Sequence, residues 1–296
     1  MALFGARTPL DLLRDYRKRL VTTVAPADQM VLRFDAATMA RIGEKSWEDQ
    51  YFRVGEAALR AVVRAMLLAE KTDLASILDL PCGHGRVLRT LRAAFPGARI
   101  AACDLDAGGV EFCARTFAAE PVHSAVDPAA IPLTGTFELI WCGSLLTHVD
   151  AARYAAFVRW FLDRLAPEGL LVFTSHGRWS LDYHRTYPYI AEDRFEAIVA
   201  DVAATGFGYR DYPGQAEYGI SIALPSWVAR LVEGHRDATL LAYHERGWGH
   251  HQDVVVVWKK PIDVPPGLER PRPAIYRGHY DKFALAASAG SGTSER

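Results

Sequence analysis

The sequence has little net charge. Its 296 residues include 34 Lys and Arg against 35 Asp and Glu, which gives a net charge of −1 at pH 7. A chain so near neutrality has no broad positive field that would attract nucleic acid or anionic lipid. Half of the residues are hydrophobic and 23% are charged, a composition typical of globular domains. We therefore expect no nucleic acid and no membrane as partners, and a small molecule instead.

Long hydrophobic runs and paired cysteines are also missing. No stretch approaches the roughly 20 apolar residues that span a bilayer, and the N-terminal MALFGARTPLDLL carries charges where a signal peptide has its apolar segment. These features predict a cytoplasmic protein. No CxxC or CxxxC spacing occurs, which favours free and buried thiols at all four cysteines: Cys82, Cys103, Cys113 and Cys142.

The hydrophobic period changes repeatedly along the middle of the chain. A helical pattern at residues 51–69 comes first, and further helices are predicted at 86–95, 108–118, 151–165, 191–204 and 226–234. Strands are predicted at 77–80, 99–103, 137–142, 170–174, 218–224, 238–243 and 253–259. Strands that alternate with helices predict an α/β fold whose parallel sheet has helices on both faces. Right-handed crossovers then bring the carboxyl ends of the strands to one edge.

The first predicted strand leads into a glycine-containing turn, LDLPCGHGR at residues 78–86. Gly83 and Gly85 let the backbone approach a ligand, although the third glycine of the GxGxxG pattern is missing. Asp104 ends the second predicted strand about 20 residues later, where an acid can bind ribose hydroxyls. Asp79 places a second carboxylate in the turn, which suits a cationic adenosine derivative better than a dinucleotide.

Five segments in order resemble the class I S-adenosylmethionine-dependent methyltransferases: LDLPCGHG, ACDLD, DPAAIPL, FELIWCGSLLTHV and LAPEGLLVFT. The resemblance covers about residues 51–260. It implies a Rossmann-like three-layer sandwich whose mostly parallel seven-stranded sheet has the order 3-2-1-4-5-7-6, with the last strand antiparallel. It also implies S-adenosyl-L-methionine as the cofactor.

The resemblance assigns a set of residues to the cofactor. Asp79 and the backbone of Gly83 and Gly85 would contact the amino-acid end, and Asp104 the ribose. Leu105 would pack on the adenine, with Asp127 near the adenine amino group, although Asp127 also suits an Asx turn. The predicted cofactor-binding residues are Asp79, Pro81, Cys82, Gly83, Gly85, Asp104, Leu105, Asp106, Asp127, Cys142, Ser144 and Leu145.

The acceptor side should lie at the same edge of the sheet. Alignment and the exclusion of water can accelerate methyl transfer, and a general base helps where the acceptor must lose a proton. His176 follows the fifth strand of the sheet, and the last hairpin adds His250, His251 and Asp253; these four are the predicted catalytic residues. His148 is assigned to helix capping or packing. Adjacent histidines point apart on an extended chain, so we expect no metal site.

The resemblance also implies a domain organisation. Residues 1–50 would form an N-terminal helical segment, a candidate lid, and residues 51–260 the methyltransferase domain. A substrate-cap insertion is expected at about 176–236, and its aromatic run either stacks on the acceptor or packs the loop: Trp179, Tyr183, Tyr187 and Tyr189. Residues 261–296 contain five prolines near their start and are expected to be an arm with a disordered tail. A homodimer is compatible with the sequence.

These observations favour an enzyme that methylates a small molecule, by O-methylation of a sugar, a glycan precursor or a secondary metabolite. The absence of an Asn/Asp-Pro-Pro-Tyr/Phe segment after the fourth strand disfavours N-methylation of a base or of glutamine. Two alternatives stay open. One is a non-catalytic protein that binds S-adenosylmethionine or S-adenosylhomocysteine as a sensor or assembly partner. The other is an NAD(P)-dependent oxidoreductase, with which the missing third glycine and Asp79 conflict.

Overall fold

The computed structural model describes residues 8–32 and 46–260, all of them within the unit Met1–Lys260. The predicted arm and tail, 261–296, and the rest of the predicted lid lie outside the described residues. The helices are α1 (Pro9–Asp15), α2 (Gln29–Leu32), α3 (Trp47–Leu68), α4 (Leu88–Ala94), α5 (Ala107–Phe117), α6 (Ala151–Arg164), α7 (Trp179–Thr186), α8 (Glu192–Thr205) and α9 (Pro225–Glu233). The strands are β1 (Ser76–Asp79), β2 (Arg99–Asp104), β3 (Glu120–His123), β4 (Phe137–Cys142), β5 (Leu165–Ser175), β6 (Phe207–Asp211), β7 (Gly219–Ala223), β8 (Thr239–Trp248) and β9 (Gln252–Trp258).

Seven strands form the main sheet in the order β3-β2-β1-β4-β5-β9-β8. The first five are parallel, whereas β9 runs antiparallel to β5 and to β8. Strands β6 and β7 pair only with each other in a separate hairpin. The predicted order and the antiparallel last strand are therefore confirmed, because β8 and β9 are the sixth and seventh strands of the main sheet.

Hydrophobic residues on both faces explain why the central strands are buried. On one face, α3 and α4 pack against the sheet through side chains such as Met66 and Leu91. On the other face, α6 contributes Val158 and Phe161. Parallel strands covered on both faces read as nearly continuous apolar runs, which is the pattern of LIWC in β4.

The N-terminal segment is part of this core. Leu12 and Tyr16 are buried against α3, and the Tyr16 hydroxyl donates a 2.6 Å hydrogen bond to Glu56. Burial opposes ionisation of Glu56, but hydrogen bonds from Tyr16, Arg17 and Arg60 outweigh it and lower its pKa to about 2. The segment has too few apolar residues for its own core, so it completes the core of the main unit.

The structure differs from the sequence predictions in several elements. Strand β8 continues to Trp248, through a region predicted to be loop, because an edge strand can carry polar side chains such as His244 and Arg246 toward solvent. Strand β5 begins at Leu165 rather than at residue 170, with irregular pairing to β4. Strands β3 and β6 and helix α7 were not predicted, because they are short and mostly polar.

None of the helices in the described ranges combines the length and the hydropathy that a membrane span requires.

Candidate functional site

A pocket of about 350 Å³ opens at the carboxyl edge of the sheet. Its walls come from the loops after β1, β2 and β4, from the N-terminal segment, and from the ends of β8 and of the β6–β7 turn. In an open α/β sheet this crevice is where ligands bind. The lining residues are Asp28, Gln29, Met30, Pro81, Cys82, Gly83, His84, Arg86, Val87, Asp104, Asp106, Trp141, Gly143, Ser144, His148, Tyr218 and Trp248.

The turn after β1 is shaped by two glycines in the left-handed region, with φ of +48° at Gly83 and +79° at Gly85. A Cβ atom added to Gly83 would meet nothing within 4 Å, so this backbone faces open space. Its N–H donates a 2.7 Å hydrogen bond to Asp104 Oδ2, and the N–H of Asp106 donates a 2.9 Å bond to Oδ1. One carboxylate thus joins the ends of β1 and β2 at the pocket wall.

Burial raises the pKa of Asp104, although the backbone N–H groups of Asp106 and Gly83 oppose the shift. Asp79 lies behind this wall, only 1% exposed. Within the described part of the chain, neither oxygen of its carboxyl accepts a hydrogen bond. Burial, and then the neighbouring Asp104 carboxylate, raise the pKa of Asp79 well above its ordinary value. A cationic ligand in this pocket would relieve the mutual repulsion of the two acids.

The predicted cofactor residues divide into two groups. Those that line the pocket are Pro81, Cys82, Gly83, Asp104, Asp106 and Ser144. Those that lie outside the lining are Asp79, Gly85, Leu105, Asp127, Cys142 and Leu145.

The second group has clear local roles. Asp127 accepts a 2.9 Å hydrogen bond from the N–H of Ala129, which is the Asx turn that its sequence also suited. Cys142 is fully buried in β4. Leu105, directly after β2, is 64% exposed, and Val126, after β3, is 51% exposed.

A hydrogen-bonded network joins the floor of the pocket to the last hairpin. Ser144 has a φ of +65°, and its N–H donates a 2.8 Å bond to Thr174 Oγ1. Gln252 accepts from Thr174 Oγ1 at 2.6 Å and donates to Ser144 Oγ at 2.9 Å. An uncommon backbone conformation is thus held by two neighbouring strands, which is typical of functional sites.

His148 lines the pocket and is held by the β6–β7 hairpin. Its Nδ1 lies 2.7 Å from the carbonyl oxygen of Gly219. A carbonyl can only accept, so Nδ1 carries the proton and Nε2 carries the lone pair. The ring stacks on Tyr218, with centroids 4.9 Å apart and planes at 27°. The sequence analysis assigned this histidine to capping or packing. In the structure it lines the pocket, and its hydrogen bond to Gly219 places a proton on Nδ1.

His176 lies behind His148, with ring centroids 6.3 Å apart, and is only 3% exposed. Its Nδ1 makes no hydrogen bond to any residue that the structure describes. Burial, followed by the nearby His251 and His148, holds the pKa of His176 well below its ordinary value. His251 lies 5.1 Å from His176, its Nε2 contacts the Tyr189 hydroxyl, and burial lowers its pKa to about 4. Both rings are therefore neutral at pH 7.

The structure does not bring His250 into this cluster. It is exposed in the hairpin turn with a φ of +56°, and its carbonyl accepts a hydrogen bond from Arg246. Neighbouring residues in a turn point apart, so only His251 faces inward. Asp253 is fully buried and accepts 2.8 Å hydrogen bonds from the Tyr243 hydroxyl and the Arg246 N–H. Burial raises the pKa of Asp253, against the effect of these bonds.

Backbone hydrogen bonds from β7 hold His148 and His176 in place. The N–H of Gly219 donates to the carbonyl of His148 at 3.0 Å, and the N–H of Ala223 donates to that of His176 at 2.8 Å. The predicted insertion therefore packs directly on the exits of β4 and β5. The aromatic run packs around His251, with Tyr183 4.5 Å from it between ring centroids.

Sequence reasoning missed Asp28 and Tyr218, both of which line the pocket. Asp28 sits in no motif, and Tyr218 begins a predicted strand without any signal for a site, so the sequence marked neither as a pocket residue. No group of three His, Cys, Asp or Glu side chains suited to a metal ion occurs in residues 8–32 and 46–260.

Comparison with known proteins identifies part of the chain. Residues 77–169 match the family model of a methyltransferase domain. This match supports, over these residues, the predicted resemblance to the S-adenosylmethionine-dependent methyltransferases. No curated protein gives a significant match.

Several solved structures are similar to the chain. CalS10, an amino pentose methyltransferase from Micromonospora echinaspora, is 18% identical over 77% of this chain and 98% of its own, with a TM-score of 0.47. The 1,6-didemethyltoxoflavin-N1-methyltransferase of Burkholderia thailandensis is 17% identical over 80% of this chain and 92% of its own, with a TM-score of 0.47. An S-adenosylmethionine-dependent methyltransferase from Clostridium acetobutylicum is 12% identical over 68% of this chain and 90% of its own, with a TM-score of 0.48.

Proposed function

Because residues 77–169 match the family model of a methyltransferase domain, we propose that this protein transfers a methyl group from S-adenosylmethionine to a hydroxyl oxygen of a small molecule. The acceptor is a sugar, a glycan precursor or a secondary metabolite. The observation that carries the proposal is the wall made by Gly83 and Asp104, where an open backbone and a carboxylate meet at 2.7 Å at the carboxyl edge of the sheet.

The pocket residues fit the cofactor that the family uses. When bound, S-adenosylmethionine supplies a methyl group on a positively charged sulfur. In this proposal Asp104 binds the ribose hydroxyls, and Leu105 and Asp127 lie beside the adenine. Ser144 forms the floor, and its neighbours Cys142 and Leu145 support it from outside the pocket lining. Two unpaired carboxyl oxygens on Asp79 behind the wall favour a cation over a pyrophosphate, which supports this cofactor over NAD.

The chain's contribution to catalysis is to align the acceptor, to exclude water and to accept a proton. Alignment of an in-line displacement can supply most of the acceleration. In this proposal His148 faces the acceptor, and its Nε2 accepts the proton that a hydroxyl loses, because Nδ1–H is held by the Gly219 carbonyl. His148 is therefore the general base.

His176, His251 and Asp253 act on the acceptor side through the residues around them. His176 and His251 form a neutral, buried layer behind His148, and their lowered pKa values make both rings weak proton acceptors. Asp253 positions the hairpin through the N–H of Arg246. His250 is exposed and receives no role in this scheme.

Titration calorimetry tests the proposal. The wild-type protein is expected to bind S-adenosylmethionine and S-adenosylhomocysteine but not NAD. Asp104→Asn should lower the affinity for both sulfur nucleosides at least tenfold, because a charge-assisted contact to the ribose is lost. Glu111→Gln, an exposed carboxylate on α5, is the matched control and should change neither affinity.

Transfer of a labelled methyl group then identifies the acceptor. Incubation with methyl-labelled S-adenosylmethionine and fractionated small-molecule extract should label a hydroxyl-bearing compound. Tight binding of both nucleosides without transfer to any fraction would favour the non-catalytic sensor. Binding of NAD in place of the sulfur nucleosides would overturn the proposal.

A further inference from the structure

One wall of the pocket comes from the N-terminal segment rather than from the sheet. Asp28, at the start of α2, is only 2% exposed and yet lines the pocket. Its Oδ2 accepts a 2.6 Å hydrogen bond from the Tyr51 hydroxyl, and its Oδ1 accepts a 2.9 Å bond from the N–H of Met30. A carboxylate fixed by two donors keeps further lone pairs for a ligand.

A cation lines the same pocket as Asp28. The guanidinium carbon of Arg86 is 5.9 Å from the ring centroid of Trp248, at the end of β8. A carboxylate and a guanidinium therefore both face the pocket.

The N-terminal segment and the glycine turn are tied together by Arg89. This buried guanidinium donates to the Gly85 carbonyl at 3.1 Å and to the carbonyls of Val21 and Thr23 at 3.0 and 2.9 Å. It also donates to the Tyr51 hydroxyl at 3.2 Å. The position of Asp28 is thus set by the same group that holds the turn.

We propose that Asp28 and Arg86 bind the amino-acid end of the cofactor, with the Asp28 carboxylate on its ammonium group and the Arg86 guanidinium on its carboxylate. This inference rests on the proposed function and replaces Asp79, which lies behind the wall, as the acid at this end. A pocket lined by the Asp28 carboxylate and the Arg86 guanidinium complements a zwitterion. Hydrogen bonds between charged groups are about twice as strong as those between neutral groups.

Two ligands that differ only in the amino-acid part test the inference. S-adenosylhomocysteine carries this part, whereas 5′-methylthioadenosine lacks it and keeps the adenosine and the sulfur. Asp28→Asn should lower the affinity for S-adenosylhomocysteine about 10- to 100-fold and change that for 5′-methylthioadenosine less than twofold. Arg86→Gln should do the same. The asparagine amide can still accept from Met30 and donate to Tyr51, so the fold is preserved.

Asp49→Asn, an exposed carboxylate on α3 outside the pocket, is the matched control and should leave both affinities unchanged. Thermal unfolding of each variant verifies that it is folded. Equal losses for both ligands, or no loss for S-adenosylhomocysteine, would overturn the inference while the proposed function stands. A wild-type protein that binds neither ligand would overturn the proposed function and this inference with it.

Discussion

The two halves of the site are built in different ways. The proposed cofactor half is formed by the turns that directly follow β1, β2 and β4, where Asp104 accepts hydrogen bonds from the N–H groups of Gly83 and Asp106. The acceptor half is assembled from His148, His176, the β6–β7 hairpin and the β8–β9 hairpin, which are far apart in the sequence. A site made at strand ends can be located from the strand order, whereas one made by distant segments depends on how they pack.

The largest expected effect separates the two histidines of the acceptor half. His148→Gln should lower turnover of the acceptor about 100-fold or more, because a general base contributes about 10²- to 10⁴-fold. His176→Gln should lower turnover about tenfold, as expected for a residue that supports the group in contact with substrate. Both variants should bind S-adenosylhomocysteine within twofold of wild type. The measurement is steady-state turnover alongside calorimetry.

An equal or greater loss of turnover at His176 would show that His176 is the base, as the sequence first indicated. A loss of cofactor affinity at His148 would assign it to the cofactor half and remove the distinction between the halves.

Two glycines offer a matched pair, one in each half. A Cβ at Gly109 would lie 2.5 Å from the carbonyl oxygen of Gly83, and a Cβ at Gly177 would lie 1.8 Å from Asp253 Oδ2. Each alanine substitution should cost about 1–3 kcal/mol of unfolding free energy through overpacking. Only Gly109→Ala should weaken S-adenosylhomocysteine binding, at least tenfold, because it displaces the cofactor turn.

Calorimetry and chemical denaturation measure the two effects. Gly97→Ala is the control, because a Cβ there would meet nothing within 4 Å. If Gly177→Ala weakened cofactor binding as much as Gly109→Ala, the two halves would be coupled rather than separable.

The third effect is gradual and concerns the pH dependence of stability. His251 has a folded-state pKa of about 4, below the ordinary 6.5. Between these values the unfolded chain binds a proton that the folded chain excludes, so the contribution of His251 to stability is present above pH 6.5 and is lost as pH falls toward 4. The slope is at most about 1.4 kcal/mol per pH unit.

Glutamine at position 251 cannot titrate and can still bond to the Tyr189 hydroxyl. The unfolding free energy of wild type minus that of His251→Gln should therefore fall as pH is lowered from 6.5 to 4. Urea denaturation at pH 7, 6 and 5 gives this difference. A difference that stays constant with pH would mean that His251 is solvated rather than buried in the cluster.

Several features of the site could be predicted from the sequence alone. Gly83 and Asp104 follow short apolar strands, and parallel strands with right-handed crossovers bring such residues to one edge. The order of the sheet was implied by the resemblance of five segments to the class I methyltransferases, and the structure confirms it. Asp150, directly before the helix predicted at 151–165, is the N-cap of α6, since it accepts a 2.9 Å hydrogen bond from the N–H of Arg153.

Other features were decided only by the tertiary structure. The tautomer of His148 depends on the Gly219 carbonyl, 71 residues further along the chain. The place of Asp28 in the pocket depends on Tyr51 and Arg89, neither of which carries a motif. Of the two adjacent histidines in the last hairpin, His251 faces inward and His250 does not. The geometry of the turn decides this, and the sequence does not. Local patterning determined where strands and turns occur, whereas the orientation of individual side chains arose from contacts between segments that the sequence does not place next to each other.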